Sequence, residues 1–240
     1  MKKASQGFRV LDLLRANRLG IIVVVLSTCL LTSCAMLGLV RTAEDFYKAG
    51  VDLFKRGQYR EAIIQFEKAI QMDPNYGLAY LYLGRSYLNL GQWSDSISPL
   101  RDALRLSPDE SKKQVVDVLM EALIGAASHE LKMGNYQNAI GYLKDALQLL
   151  PQSEKAKQNL YGTLVEYGGK LLSQGNTQQA IGAFSEAIKL SPNDLNAYLG
   201  LAKSFLKNGD FLKALQVAEE ALRLDPANKD IQSLFRELRK

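Results

Sequence analysis

A single histidine and two cysteines stand among 240 residues, and they bound the chemistry open to this chain. His129 is followed by Glu130, the pairing of imidazole and carboxylate from which a general base is made. With no second histidine and no thiol nearby, it can complete neither a His-based zinc site nor a nucleophilic triad. A partly exposed helical position is the reading its surroundings favour. The glycines stand singly or as the pair Gly168 and Gly169, outside any strand-to-helix context that could cradle a phosphate. That pair implies either close helix packing or a soft spot costing about 1 kcal/mol per glycine. Asp109 and Glu110 directly follow Pro108, where acidic residues suit a helix start. No catalytic group, metal site or cofactor is expected. The formal net charge of +5 does not point to nucleic acid either. Five of the 30 basic residues and one of the 25 acidic ones lie in 1–33, so the remainder carries a net +1. A nearly neutral body lacks the basic stripe that phosphate contacts require. With 47% hydrophobic residues it can still bury a sizeable core.

The basic bias belongs to targeting. Lys2, Lys3, Arg9, Arg15 and Arg18 precede the apolar run Ile21 to Leu31, which has the length of a secretory signal core. Leu31, Thr32, Ser33 and Cys34 follow, and this order resembles the lipobox of bacterial lipoproteins. The resemblance implies that 1–33 is a signal peptide removed before Cys34, and that Cys34 is acylated with fatty chains such as palmitate. Several chains at about 0.8 kcal/mol per buried CH₂ anchor stably. Cys29 would leave with the signal, so no disulfide remains in the mature chain. A retained signal anchor in the inner membrane is the alternative, since no charge occurs from Leu19 to Val40. In both cases the basic N-terminus stays inside, and the rest faces the periplasm. Ala35 rather than Asp after the cysteine resembles the sorting pattern for the outer membrane. Residues 34–42 form a short membrane-proximal linker.

Beyond it the chain repeats itself. Prolines recur at Pro74, Pro108, Pro151, Pro192 and Pro226, at spacings of 34, 43, 41 and 34. Before each comes a turn glycine, Gly57, Gly91, Gly134, Gly175 or Gly209, able to take the left-handed conformation that closes a helix. An aromatic follows two residues later at Tyr59, Trp93, Tyr136 and Phe211, with Thr177 departing. Five residues after the glycine stands Ala62, Ala139, Ala180 or Ala214, with Ser96 in the second copy; seven further on stand Ala69, Ala103, Ala146, Ala187 and Ala221. Phe46, Ala49, Gly50 and Leu53, and likewise Tyr80, Leu83, Gly84 and Tyr87, mark one face of a preceding helix. Small residues at a crossing let two helices approach closely while large ones interlock beside it.

Five such copies resemble the tetratricopeptide repeat family across 43–226, with a period of 34 residues. The resemblance implies an all-α, right-handed α-solenoid of five helical hairpins, at about 43–76, 77–110, 120–153, 161–194 and 195–228. Residues 227–240 should form a C-terminal capping helix burying Ile231, Leu234, Phe235 and Leu238. The two long spacings add residues before the third and fourth hairpins. Ser107, Pro108 and Glu110 read as N-cap, first helical residue and capping-box partner, which would start the third hairpin's first helix early and project it about two turns; a loop insertion is the alternative. Pro99, inside a second helix, should remove a hydrogen bond and bend it.

In this family the first helix of each hairpin lines a concave groove. Carried over, that face comprises Tyr47, Val51 and Phe54; Leu81, Arg85 and Leu88; Ile124, Ser128 and Leu131; Val165, Gly169 and Leu172; Leu199, Lys203 and Leu206. Its outer positions are apolar throughout, so they either pack on the neighbouring hairpin or leave an apolar groove for a partner. The family's clamp for acidic C-terminal peptides wants lysine and asparagine where Tyr47 and Val51 stand. A hydrophobic or amphipathic protein segment is the better-matched ligand, with Arg85 and Lys203 on its polar side. The whole resembles the tetratricopeptide lipoproteins that assemble envelope machinery, and implies a non-catalytic scaffold holding envelope proteins. A self-associating structural subunit, with a homo-oligomer as its product, is the second reading.

Overall fold

The five turn glycines have φ between +71° and +84°, and no other described residue has positive φ except these. In each turn the amide after the glycine donates to the carbonyl five residues back, as Gln58 does to Leu53 (3.0 Å) and Asn135 to Glu130 (2.9 Å). This left-handed closure satisfies carbonyls that the helix end would otherwise leave unpaired, and turns the chain into the next helix.

The computed structural model describes residues 41–239, so the signal segment and Cys34 lie outside the described residues. These fold into five hairpins: α1 (Ala43–Lys55) with α2 (Tyr59–Met72), α3 (Gly77–Asn89) with α4 (Trp93–Leu106), α5 (Asp109–Lys132) with α6 (Tyr136–Leu149), α7 (Glu154–Ser173) with α8 (Thr177–Leu190), and α9 (Leu195–Lys207) with α10 (Phe211–Leu224). A single helix, α11 (Lys229–Leu238), closes the array. Each helix packs mainly on its neighbours in sequence, and the result is a right-handed α-solenoid. Thr42 starts it with a capping box, its hydroxyl accepting from the Asp45 amide while Asp45 accepts from the Thr42 amide at 2.8 Å.

The repeated small residues are the core. Ala62, Ser96, Ala139, Ala180 and Ala214 are fully buried, as are Ala69, Ala103, Ala146, Ala187 and Ala221. A Cβ on Gly50 would lie 2.5 Å from the Phe66 ring, and one on Gly84 2.5 Å from Leu100 Cγ. Backbone therefore meets side chain directly at these crossings. Gly168 of the glycine pair does the same against Phe184 at 2.9 Å, whereas a Cβ on Gly169 would meet open space. Ile231 and Leu234 of α11 are buried and Phe235 and Leu238 half-buried, covering α10 as a cap should.

The long spacings are helical. α5 has 24 residues and α7 has 20, against 13 in the first helices of the other hairpins. The N-cap of α5 is Pro108, not Ser107, and the expected capping box does not form; instead Ser111 donates from its amide and hydroxyl to the Pro108 carbonyl. The extension also projects less than its length suggests. Residues 109–114 are largely exposed, but Val115 and Leu119 are buried with Ala103 and Met120. Pro99 sits within α4, which runs unbroken from Trp93 to Leu106.

Candidate functional site

The concave face divides into a filled half and an open half. In the first two hairpins aromatic rings occupy it. Tyr47 meets Tyr76 and Tyr82 at centroid distances of 4.9 and 5.8 Å, and Phe54 meets Tyr82 edge-on at 5.4 Å. Arg85 lies over Phe54 and Tyr82 at 5.8 and 5.5 Å. The Tyr76 hydroxyl donates to Glu44, which lowers the Glu44 pKa and, with burial as the larger cause, raises that of Tyr76. Val51 is half-buried in the same cluster. Leu81 and Leu88 are 4% and 9% exposed, inside a core they share with Leu100, Met120 and Leu123. They are core positions rather than open groove, because Val115, Leu119, Met120 and Leu123 of the lengthened α5 pack in the same core.

The open half lies between α5 and α7. Neighbouring first helices touch most at α7–α9 and only sparsely at α1–α3 and α3–α5, and α5 and α7 approach least. Two clefts occupy the gap. One, about 710 Å³, is lined by Trp93, Met120, Ile124 and Leu150, with Asp117, Glu121, His129, Lys132 and Lys155 around them. The other, about 290 Å³, runs between Ile124, Ser128 and Leu131 of α5 and Asn159, Gly162 and Glu166 of α7. Ile124 and Ser128 belong to both.

Local sequence explains the gap. Gly125 takes the indole of Trp93 directly on its backbone, where a Cβ would lie 2.2 Å from the ring. Ser128, Gly162 and Gly169 are exposed and short, and the two glycines face open space. At this junction the concave positions thus lack the rings that fill the first two hairpins. Of the expected groove residues, Ile124 and Leu131 line the clefts half-buried, and Val165, Leu172, Leu199 and Leu206 are half-buried in the cores beside them. Lys203 is exposed. Met120, Glu121 and Lys155 were not legible as site residues, because they fall outside the family's groove positions, and Lys155 enters only through the extra turns of α7. Trp93 was legible only as a turn aromatic.

Polar groups nearby are held by hydrogen bonds. Tyr136 donates to Glu166 at 2.6 Å and stacks on Tyr167 at 5.4 Å, and Glu130 accepts from Asn135 and Asn138 at 2.9 and 3.0 Å. Those two amides, Asn138 first, hold the Glu130 carboxyl below its usual pKa. Burial raises the Tyr161 phenol, with the Asp194 carboxylate adding to it. Among the described residues no group of three His, Cys, Asp or Glu side chains could hold a metal ion, and no helix is long and apolar enough to cross a membrane.

With this architecture in view, the class of protein is a helical-repeat interaction module. A sequence model described as tetratricopeptide repeat matches residues 47–111 and 170–229, and the chain belongs to that family. The stretch between the two matches holds most of the lengthened α5 and α7. Among solved structures, a TPR repeats protein from Bacteroides fragilis is 14% identical over 83% of this chain and 99% of its own, with a TM-score of 0.59. A thermophilic TPR protein from Thermus thermophilus is 21% identical over 82% of this chain and 98% of its own (TM-score 0.34). The TPR2AB domain of yeast Sti1 in its pHSP90 complex is 18% identical over 82% and 83% (TM-score 0.34). The first shares the fold. Proteins of this family generally mediate protein–protein interactions and are typically non-catalytic.

Proposed function

We propose that this protein is a non-catalytic scaffold of the bacterial cell envelope, lipid-anchored through Cys34, that holds a segment of another envelope protein in the cleft between α5 and α7 and so assists assembly of an envelope complex. The observation that carries the binding role is the cleft: half-buried Trp93 and Ile124 and exposed Leu150 line it, at the junction where the first helices approach least. The N-terminal charge and apolar pattern support the anchor, on the periplasmic face of the outer membrane, or of the inner membrane if the signal is retained. The linker from Cys34 to Thr42 then reaches at most about 30 Å at roughly 3.3 Å per residue, so the array works close to the bilayer.

Two experiments test this. Photo-crosslinking in cells from Ser128, with Gln216 on α10 as control, should give one dominant envelope adduct from 128 and none from 216; equal smears from both positions defeat the cleft as the working surface. Fatty-acid labelling should be abolished by Cys34→Ser, and labelling that persists defeats the lipoprotein anchor. A second reading, self-association, is supported by Phe211 and Leu212, which are 61% and 80% exposed at the start of α10. Sedimentation of the full chain in detergent would show a concentration-dependent mass that Phe211→Ser with Leu212→Ser removes.

A further inference from the structure

The charges around the larger cleft specify more than an apolar ligand. Along α5 the lining runs Asp117, Glu121, Gly125, Ser128, His129, Lys132, the spacing of one helical face. Trp93 lies against Gly125 and stands midway, with Met120 and Ile124 beside it. One end of this wall therefore carries two carboxylates and the other an imidazole and an ammonium, about 22 Å apart from Asp117 to Lys132 at 1.5 Å per residue. Lys155, at the start of α7, is a second cation on the lining. Among the described residues none of Asp117, Glu121, His129, Lys132 and Lys155 makes a salt bridge or a side-chain hydrogen bond. Elsewhere on α5 the contrast is plain: Asp109 pairs with Lys112 at 2.7 Å, and Glu130 is held by two asparagines.

We infer that the cleft selects a partner segment of mixed charge: an apolar side chain seated against Trp93, Met120 and Ile124, a Lys or Arg reaching Asp117 and Glu121, and an Asp or Glu reaching His129 and Lys132. A segment charged alike at both ends would meet its own sign at one end of the wall. This rests on the reading of the cleft as a protein-binding site and adds the chemistry of the occupant. Exposed pairs are weak singly, but replacing an attraction by a repulsion counts twice, so a mixed segment should outbind a uniform one about tenfold.

The test uses the full chain in detergent and the fluorescence of Trp93, the sole tryptophan. The probes are three tryptophan-free amphipathic peptides sharing one Leu-rich centre, with both ends lysine, both ends glutamate, or one of each. The mixed peptide should bind about tenfold tighter than either uniform one at low salt, and the preference should fade as salt screens the charges. Asp117→Lys with Glu121→Lys should transfer the preference to the all-glutamate peptide, and Lys132→Glu should move it toward the all-lysine one. These residues are exposed, so folding is not at stake, and circular dichroism of each variant confirms it. Equal binding of all three peptides would overturn the charge selection while leaving a peptide site in place. Binding of none would overturn both.

Discussion

The first two hairpins and the third and fourth are built from one repeat grammar and present contrasting concave faces. Their turns close on the same left-handed glycines and their second helices bury the same alanines. In α1 and α3 the concave side carries Tyr47 and Phe54 with Tyr82 beside them, whose rings meet edge to face across the junction and fill it. In α5 and α7 the corresponding stretch carries Gly125, Ser128, Gly162 and Gly169, and the face stays open between longer helices. Side-chain size at these positions, together with the longer α5 and α7, separates a filled junction from an open one.

That contrast can be broken most sharply with one charge. Leu88→Glu, in the filled half, should lose about 4 kcal/mol of stability, since it buries a carboxylate without a partner. Ser128→Glu on the open face should stay within about 0.5 kcal/mol. Urea melts of the two variants read both, and similar midpoints would mean that Leu88 is not core. Gly84→Leu comes next: with Leu100 already at the distance of a missing Cβ, overpacking should cost about 3 kcal/mol, and a retained midpoint would contradict the crossing.

Glycines of the open half should respond in the other direction. Gly162→Ala and Gly169→Ala meet no neighbour, so each should stabilise by about 1 kcal/mol through helix propensity. Gly168→Ala, one residue away, should not, because its Cβ would meet Phe184. Thermal melts separate adjacent substitutions of the same kind. The smallest effect is acidic. The hydrogen bond from Tyr76 and then that from Lys48 depress the Glu44 pKa from 4.5 in the fold, so their stabilisation is present above that value and is lost as pH falls through the lowered one. Tyr76→Phe should therefore flatten the loss of stability below pH 4.5 in an acid titration followed by circular dichroism. An unchanged slope would show that the pair contributes nothing.

Much of the fold was legible because the repeat is written in residues that tolerate few substitutes. A glycine at positive φ and an alanine where two helices cross are demanded by sterics at each copy, so the period showed through. The candidate site was less legible. Leu88 and Ile124 share one apolar pattern along the first helices, yet one is core and the other lines a cleft. Apolar periodicity reports which face of a helix is sheltered, not how completely. Pro108 likewise displaced Ser107 as the N-cap of α5: its φ of −61° suits a helix but its ψ of 155° is extended, so the helix begins one residue later.

The sequence by itself determined the number of hairpins, their turns, the small residues at each crossing and the terminal cap. Each follows from local sterics repeated at a fixed spacing. Only the tertiary structure decided that the added residues before the third and fourth hairpins lengthen helices, that α5 shares a core with Leu81 and Leu88, and that the cleft beside α5 sets half-buried Trp93 and Ile124 among four unpaired charges and His129. Those outcomes depend on how far neighbouring helices stand apart, a distance set by all the side chains between them at once.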